Sequence, residues 1–439
     1  MYGELGEVVK VDKVRIIAAA LLAASVLSAP AGAQTAAPSA MQAATAVSAF
    51  YDSYHSQLWF RGGVESPAVA QLVSVLQRAA FDGFPQGPLL ATQVQAAAAQ
   101  ARSGNAADIA AAERVLSTAW VQYIQTIKQP TTGMVYSYPI LAPQGSRPDQ
   151  ILLTASAAPS LEAYVSQTSS VNPLYAQIRN AAWAEAQATG NTTPDPRLLA
   201  NLDRVRSLPA TGKFILVDSG SQMLTMFENG SPVDSMKIVV GKTDYKTPMI
   251  ASVMYYIVYN PYWNAPDHLV RKIAQNYLTM GDGYLRSRGY QVMKDWTASS
   301  EVVPASQINW KAVASGKEQI RIRQKPQDDN SMGDLKFPFP NALDIFLHDT
   351  PHKEYFAKPT RFLSNGCVRL EDAKRFGRWL LGSEPVSPGT DAEIQVQLPR
   401  GVPVYLTYIT AQVRDGKVSY LPDVYGWDKQ APVFASAAH

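Results

Sequence analysis

A single cysteine stands in this 439-residue chain, Cys367, directly behind Ser364, Asn365 and Gly366. A thiol reacts as its thiolate, and a turn built from Ser, Asn and Gly makes it reachable. A cysteine that merely fills apolar space suits a core strand better than this polar stretch. An imidazole can take the proton of such a thiol and hand it to a leaving amine. The candidate histidines are His55, His268, His348 and His352, with His439 at the chain end. His348 closes the run ALDIFLHD (342–349), which reads as a strand, and the end of a strand holds a base firmly. His352 follows Pro351 in a loop. Cys367 and His348 are therefore the candidate nucleophile and base. Gly366 permits a tight turn beside the sulfur, so that the amides of Gly366 and Cys367 are expected to meet a developing oxyanion. A helix over 371–382, starting directly after the turn, is expected to lower the thiol pKa through its positive end. Arg369 has two readings: a partner for a substrate carboxylate, or a surface ion pair with Glu371 or Asp372. Metal binding is not expected. His348 and His352 would share a face only on a helix, which Pro351 opposes, and a lone cysteine gives no zinc pattern. No other cofactor is expected.

The elements that must position these residues fall into two styles. In 68–84, Val69, Leu72, Val75, Leu76 and Ala79 recur at helical spacing, with Ser66 and Pro67 as N-cap and first-turn pair. Stretches 89–102, 106–128 and 173–190 continue as helices, while Pro-rich 129–160 reads as loop. Residues 34–48 read as a flexible leader. Residues 49–205 are thus expected to form an all-helical domain. From Lys213 the chain becomes β-rich. Strands are expected at 214–218, 223–228, 236–241, 251–263, 318–324, 342–349, 402–413 and 417–421, with Asn229-Gly230 as a hairpin turn. Asp267 reads as the N-cap of a helix over 267–280. The fold class is α+β: an all-helical domain, then a β-sandwich or barrel over 206–428, with 429–439 as a tail.

The composition, 46% hydrophobic and 17% charged with a net charge of +3, suits a chain that buries a core. It gives no concentrated basic stripe, so no nucleic-acid partner is expected. Lys10, Lys13 and Arg15 precede the apolar run 16–27, and Ala31-Gly32-Ala33 follows. This predicts a cleaved export signal over 1–33. The run is shorter than the ~20 residues a membrane span needs, so no span is expected. Glu4 and Glu7 ahead of it suggest a start codon further downstream.

Around Cys367 the sequence resembles an L,D-transpeptidase of the YkuD family, in its long, periplasmic, YcbB-like branch. That family's signature is a His, a spacer, then Ser/Thr-His-Gly-Cys. Here His348 is followed by 349–363 and then Ser364-Asn365-Gly366-Cys367, so Asn365 stands where the family usually has His. The flanks KIVVGKTDYKTPMI, YNPYWNAPDHLVRKI and RIRQKPQDDNSMGDLKFPFPN extend the likeness, and LWFRGGVESPAVAQLVSVL resembles the branch's helical scaffold domain. The wall-binding module that such proteins commonly insert is expected to be missing between Tyr175 and Asn201. The resemblance implies a YkuD-type mixed β-sandwich with a helical lid at about 262–335. It implies that Cys367 attacks a donor stem peptide of peptidoglycan and forms a thioester, which an amine of an acceptor stem resolves into a crosslink. The donor position, three or one, is left open. His348 would act as base and then acid, oriented by the backbone carbonyl of Asp349. Arg369, Asn365, Ser364, Tyr262 and Trp263 would bind substrate, with Tyr277, Tyr284 and Trp296 also lining the groove. Carbapenems would react with the same sulfur, in the periplasm. Two rivals stay open: a hydrolase on the same scaffold, either an L,D-carboxypeptidase or an enzyme that cuts protein from peptidoglycan, and a non-enzymatic wall-binding scaffold.

Overall fold

A computed structural model describes residues 40–54, 56–297 and 300–429. The expected signal peptide 1–33, the leader as far as 39, His55, and the tail from 430 with His439 lie outside the described residues.

The segment FILVD forms strand β1 (Phe214–Asp218), and every residue of it is buried. Side chains alternate between the two faces of a strand, so a strand apolar throughout needs cover on both. Ile215 and Val217 enter one core with Met226, Leu347 and Val368. Phe214 and Leu216 enter another with Tyr175, Ile178, Leu198 and Leu202. Those four come from helices Pro173–Thr189 and Pro196–Val205, which therefore pack against the sheet.

The other principal strands are β2 (Met223–Glu228), β3 (Ser231–Gly241), β4 (Ile250–Tyr259), β5 (Leu335–Pro338), β6 (Phe346–His348), β7 (Val368–Leu370) and β8 (Ile394–Thr407). They pair in the order β5-β6-β7-β3-β2-β1-β8-β4, and β4 also pairs with β5, so the sheet meets itself around its core. It is mixed: β6 with β7 and β1 with β8 are parallel. Helix Ala373–Leu381 sends Ala373, Phe376 and Leu380 into this core, Phe376 meeting Phe337 edge-on at 4.8 Å. An α+β chain with a helical N-terminal region and a mixed β-sheet region is what the sequence predicts.

Some local expectations change. A helix spans Ala40–Ser53 and so begins within the expected leader 34–48. Ala43, Val47 and Phe50 lie four and three residues apart and are buried, a periodicity that the Ala- and Ser-rich composition hides. The expected loop 129–160 contains helix Pro148–Ala157, because Pro148 occupies the first turn, where a missing amide proton costs nothing. Helix Leu161–Ser170 follows, capped by Ser160, whose hydroxyl accepts the Ala163 amide at 3.1 Å. The N-terminal region is not purely helical. Phe60–Arg61 pairs with Val64–Glu65, and Val135–Tyr136 adds a parallel strand to β4.

The insertion at 262–335 holds more than helices. Its helices Asp267–Met280, Asp282–Ser287 and Trp310–Ala314 pack on a four-stranded antiparallel sheet. Ala274, Val292, Trp310 and Ile322 form a core of its own. Asp267 is the first helical residue rather than the cap, which falls to Pro266. Among the described residues no helix is long and apolar enough to cross a membrane.

Candidate active site

Strands β5, β6 and β7 lie side by side, with Lys336 opposite His348 and His348 opposite Arg369. Leu335, Phe337, Leu347, Val368 and Leu370 point into the core. Alternation therefore sends Lys336, His348 and Arg369 to the other face, along with Cys367 just before β7. That face opens on a cavity of about 900 Å³. Cys367, His348, Arg369, Ser364, Asn365, Tyr262 and Trp263 all line it, as does Trp296. Tyr277 and Tyr284 are not among its lining residues. Tyr277 stacks on Trp310 at 4.1 Å, and both tyrosines pack on the insertion's own core. His352 is exposed with Nδ1 3.1 Å from Glu354, and His268 stacks on Tyr245 at 4.9 Å. Neither lines the cavity.

The cysteine loop is held by its own polar residues. Gly366 adopts φ +119°, where a side chain is strained, and a Cβ there would lie 3.2 Å from Ile345 Cδ1. The Ser364 hydroxyl donates to the Cys367 carbonyl at 2.6 Å and accepts the Gly366 amide at 3.2 Å. Thr247 donates to the Gly366 carbonyl at 2.7 Å. The Gly366 amide is thus already engaged and is not free for an oxyanion, contrary to the expectation from sequence. Asn365 lines the cavity without a hydrogen bond to the described residues.

His348 is fixed from behind. Its Nδ1 lies 2.5 Å from the carbonyl oxygen of Asp349. A carbonyl only accepts, so Nδ1 carries the proton and Nε2 keeps its lone pair. Asp349 is itself anchored: its amide donates to the Leu335 carbonyl at 2.8 Å, and its carboxylate accepts from Lys353 at 2.7 Å and from the Asp334 amide at 3.2 Å. Burial, reinforced by the nearby Arg369, pulls the His348 pKa down to about 3. The imidazole is therefore neutral at physiological pH.

The sulfur is half-buried where it opens on the cavity. Burial still dominates, pushing the thiol up to about 11 against the opposing pull of the Phe346 amide, Lys336 and Arg369. The resting pair is a neutral thiol and a neutral imidazole, not the readily ionised sulfur that the sequence suggests. The expected help from a helix end is missing as well. Strand β7 intervenes, so helix Ala373–Leu381 starts six residues beyond Cys367.

Arg369 does not make the surface ion pair with Glu371 or Asp372 that was one of its two readings. The Glu371 carboxylate accepts the Lys237 amide at 3.1 Å, and Asp372 caps its helix through the Arg375 amide at 2.9 Å. The Arg369 guanidinium sits 5.4 Å from the Tyr355 ring centroid, and its buried Nε has no hydrogen-bond partner among the described residues. Sequence reasoning missed Lys336. Its only local signal is its place between the core residues Leu335 and Phe337. Among the described residues no group of His, Cys, Asp and Glu could hold a metal ion.

The low His348 pKa has a consequence for stability. The unfolded chain takes up a proton near pH 6.5, whereas the folded chain resists until about 3. Folding stability from this group is therefore complete above pH 6.5 and is lost as the pH falls towards 3, at about 1.4 kcal/mol per unit. Between pH 7 and 5 the native chain should lose about 2 kcal/mol more than His348→Gln, measured by urea unfolding. Equal losses in the two proteins would show that His348 is not held neutral.

A profile of the YkuD family, an L,D-transpeptidase catalytic domain, matches residues 212–404, and a Scaffold domain matches 45–181. A curated Haemophilus influenzae protein named "Putative L,D-transpeptidase" is 26% identical over 320 residues. The match takes in 71% of this chain but only 64% of that relative's length. A solved chain described as "Structure of the Ldtfm-avibactam carbamoyl enzyme" is 13% identical over 46% of this chain and 50% of its own, with a TM-score of 0.20, too slight a likeness to carry an argument. A Scaffold domain over 45–181 thus precedes a YkuD-type L,D-transpeptidase catalytic domain over 212–404, the part of the chain that holds both Cys367 and His348.

Proposed function

We propose that this chain is a periplasmic peptidoglycan L,D-transpeptidase that crosslinks stem peptides through a thioester at Cys367. The observation that carries the reading is the neutral His348, with Nδ1 tied to the Asp349 carbonyl and Nε2 free, lining the same cavity as the sole cysteine. A donor carbonyl in the cavity is attacked by Sγ while the thiol proton passes to Nε2. Collapse of the tetrahedral intermediate breaks the C–N bond, and the proton on Nε2 goes to the departing amine, which is that of D-Ala where position three of the stem is the donor. The acceptor amine then attacks the thioester carbonyl and gives a proton to Nε2. That proton returns to the sulfur as the C–S bond breaks, and the new amide is the crosslink. Tyr262 and Trp263, which line the cavity, would give the stem peptides an apolar wall, and Asn365, which lines it too, would hydrogen-bond them. A carbapenem acylates the same sulfur as its ring opens, without a leaving group.

Purified tetrapeptide muropeptides incubated with the protein decide between this reading and hydrolysis. Crosslinked dimers are expected, and their fragmentation gives the donor position. Trimmed monomers alone would mean that water, not an amine, resolves the thioester. Slow, unselective labelling of Cys367 with no acylation would favour the non-enzymatic scaffold.

A further inference from the structure

Lys336, His348 and Arg369 form a continuous row across β5, β6 and β7. Adjacent strands lie about 4.8 Å apart, so a cation flanks the imidazole on each side. Among the described residues neither forms an ion pair with a carboxylate. The Lys336 ammonium lies 4.6 Å from the Phe346 ring centroid, and the Arg369 guanidinium 5.4 Å from that of Tyr355. The Arg369 Nε is buried without a hydrogen-bond partner among the described residues. Asp267 and Asp344 line the same cavity, but no ion pair joins either to the row among the described residues. Two half-buried, unmatched cations facing one cavity form a receptor for an anion. A lysine on a solvated strand face would be the plainer account, but Lys336 faces the cavity.

Which anion follows from the chemistry of the imidazole between them. On the reading proposed above, His348 must give its proton to the departing amine. If the departing residue is the last of its peptide, its α-carboxylate carbon is bonded to the same Cα as that amine and lies about 2.5 Å from the nitrogen. An amine within reach of Nε2 therefore brings that carboxylate into the space flanked by the two cations. We infer that Lys336, together with Arg369, binds the terminal carboxylate of the departing residue and makes the chain selective for donors cleaved at their last peptide bond. Lys336 is then a specificity residue that acts on the substrate. Binding the carboxylate would also offset the positive charge that disfavours the imidazolium, so the base strengthens when the correct donor is seated.

The test uses the full chain and two donors, a tetrapeptide stem with a free terminal carboxylate and the same stem with a terminal carboxamide. Acylation of Cys367 is followed by intact mass. Native protein is expected to favour the acid at least tenfold in kcat/KM, and Lys336→Gln to reduce that acid-to-amide ratio about tenfold, mainly through KM. Lys336→Arg should restore most of the ratio, which a merely structural lysine would not predict. An unchanged ratio in Lys336→Gln, with acylation still measurable, overturns the inference and leaves the enzyme reading intact. Absence of any acyl adduct in native protein overturns the enzyme reading and the inference with it.

Discussion

Cys367→Ala will form no acyl adduct with stem peptide or carbapenem and will drop crosslinking by at least roughly 10⁴-fold, to the background of the assay. The chain holds no second cysteine to substitute for it. Nor does the change disturb what shapes the loop. The Ser364 hydroxyl grips the backbone carbonyl of residue 367, and Thr247 grips that of residue 366, so neither contact needs the sulfur. Alanine keeps the Cβ and fits the same space, so the variant should fold and still bind donor. Intact mass after incubation with each acylating compound reads the result directly. An adduct of the same mass on Cys367→Ala would place the nucleophile elsewhere.

His348→Ala is expected to slow acylation at pH 7 by about 10³- to 10⁴-fold. The size follows from the state of the pair. A thiol raised to about 11 leaves roughly one molecule in 10⁴ as thiolate at pH 7. With the imidazole present, the proton leaves during attack and that scarcity does not matter. Without it, the enzyme must wait for the rare ionised sulfur. The defect should shrink about tenfold for each pH unit of increase, because base in solution does what the side chain no longer does. Stopped-flow or quenched acylation across pH measures both the size and the slope. A defect of the same size at every pH would mean that His348 contributes something other than proton transfer.

The candidate nucleophile, the candidate base and the strand end that carries it were legible in the sequence because each is a local property. One thiol, a Ser-Asn-Gly turn and an apolar run ending in His348 can be read without knowing what lies beside them. The protonation state was not legible. Sequence shows a helix soon after the sulfur and suggests stabilisation of a thiolate, but it does not show the burial that pushes the thiol the other way. Lys336 was invisible for a related reason. Its place beside His348 depends on the pairing of β5 with β6, and its opposite number across His348 depends on the pairing of β6 with β7. A register between segments is set by packing, and a lysine between Leu335 and Phe337 is equally at home facing solvent. Tyr277 and Tyr284 illustrate the converse: an aromatic ring suits a groove and a core alike, and Trp310 with its neighbours claimed them for the core. The three-residue β7 was too short to signal itself, and its absence from the sequence reading put the helix end beside the sulfur. The helix Ala40–Ser53 was hidden by composition, although Ala43, Val47 and Phe50 carry the spacing that buries it.

The most direct test of the proposed mechanism is the pH dependence of Cys367 acylation, measured as kcat/KM in the native chain. With an imidazole that stays neutral above about 3 and a thiol that stays protonated below about 11, the rate should be flat from roughly pH 5 to 9. A rate that climbs about tenfold per unit through that range, as an unaided thiol would give, would contradict proton transfer from Cys367 to His348.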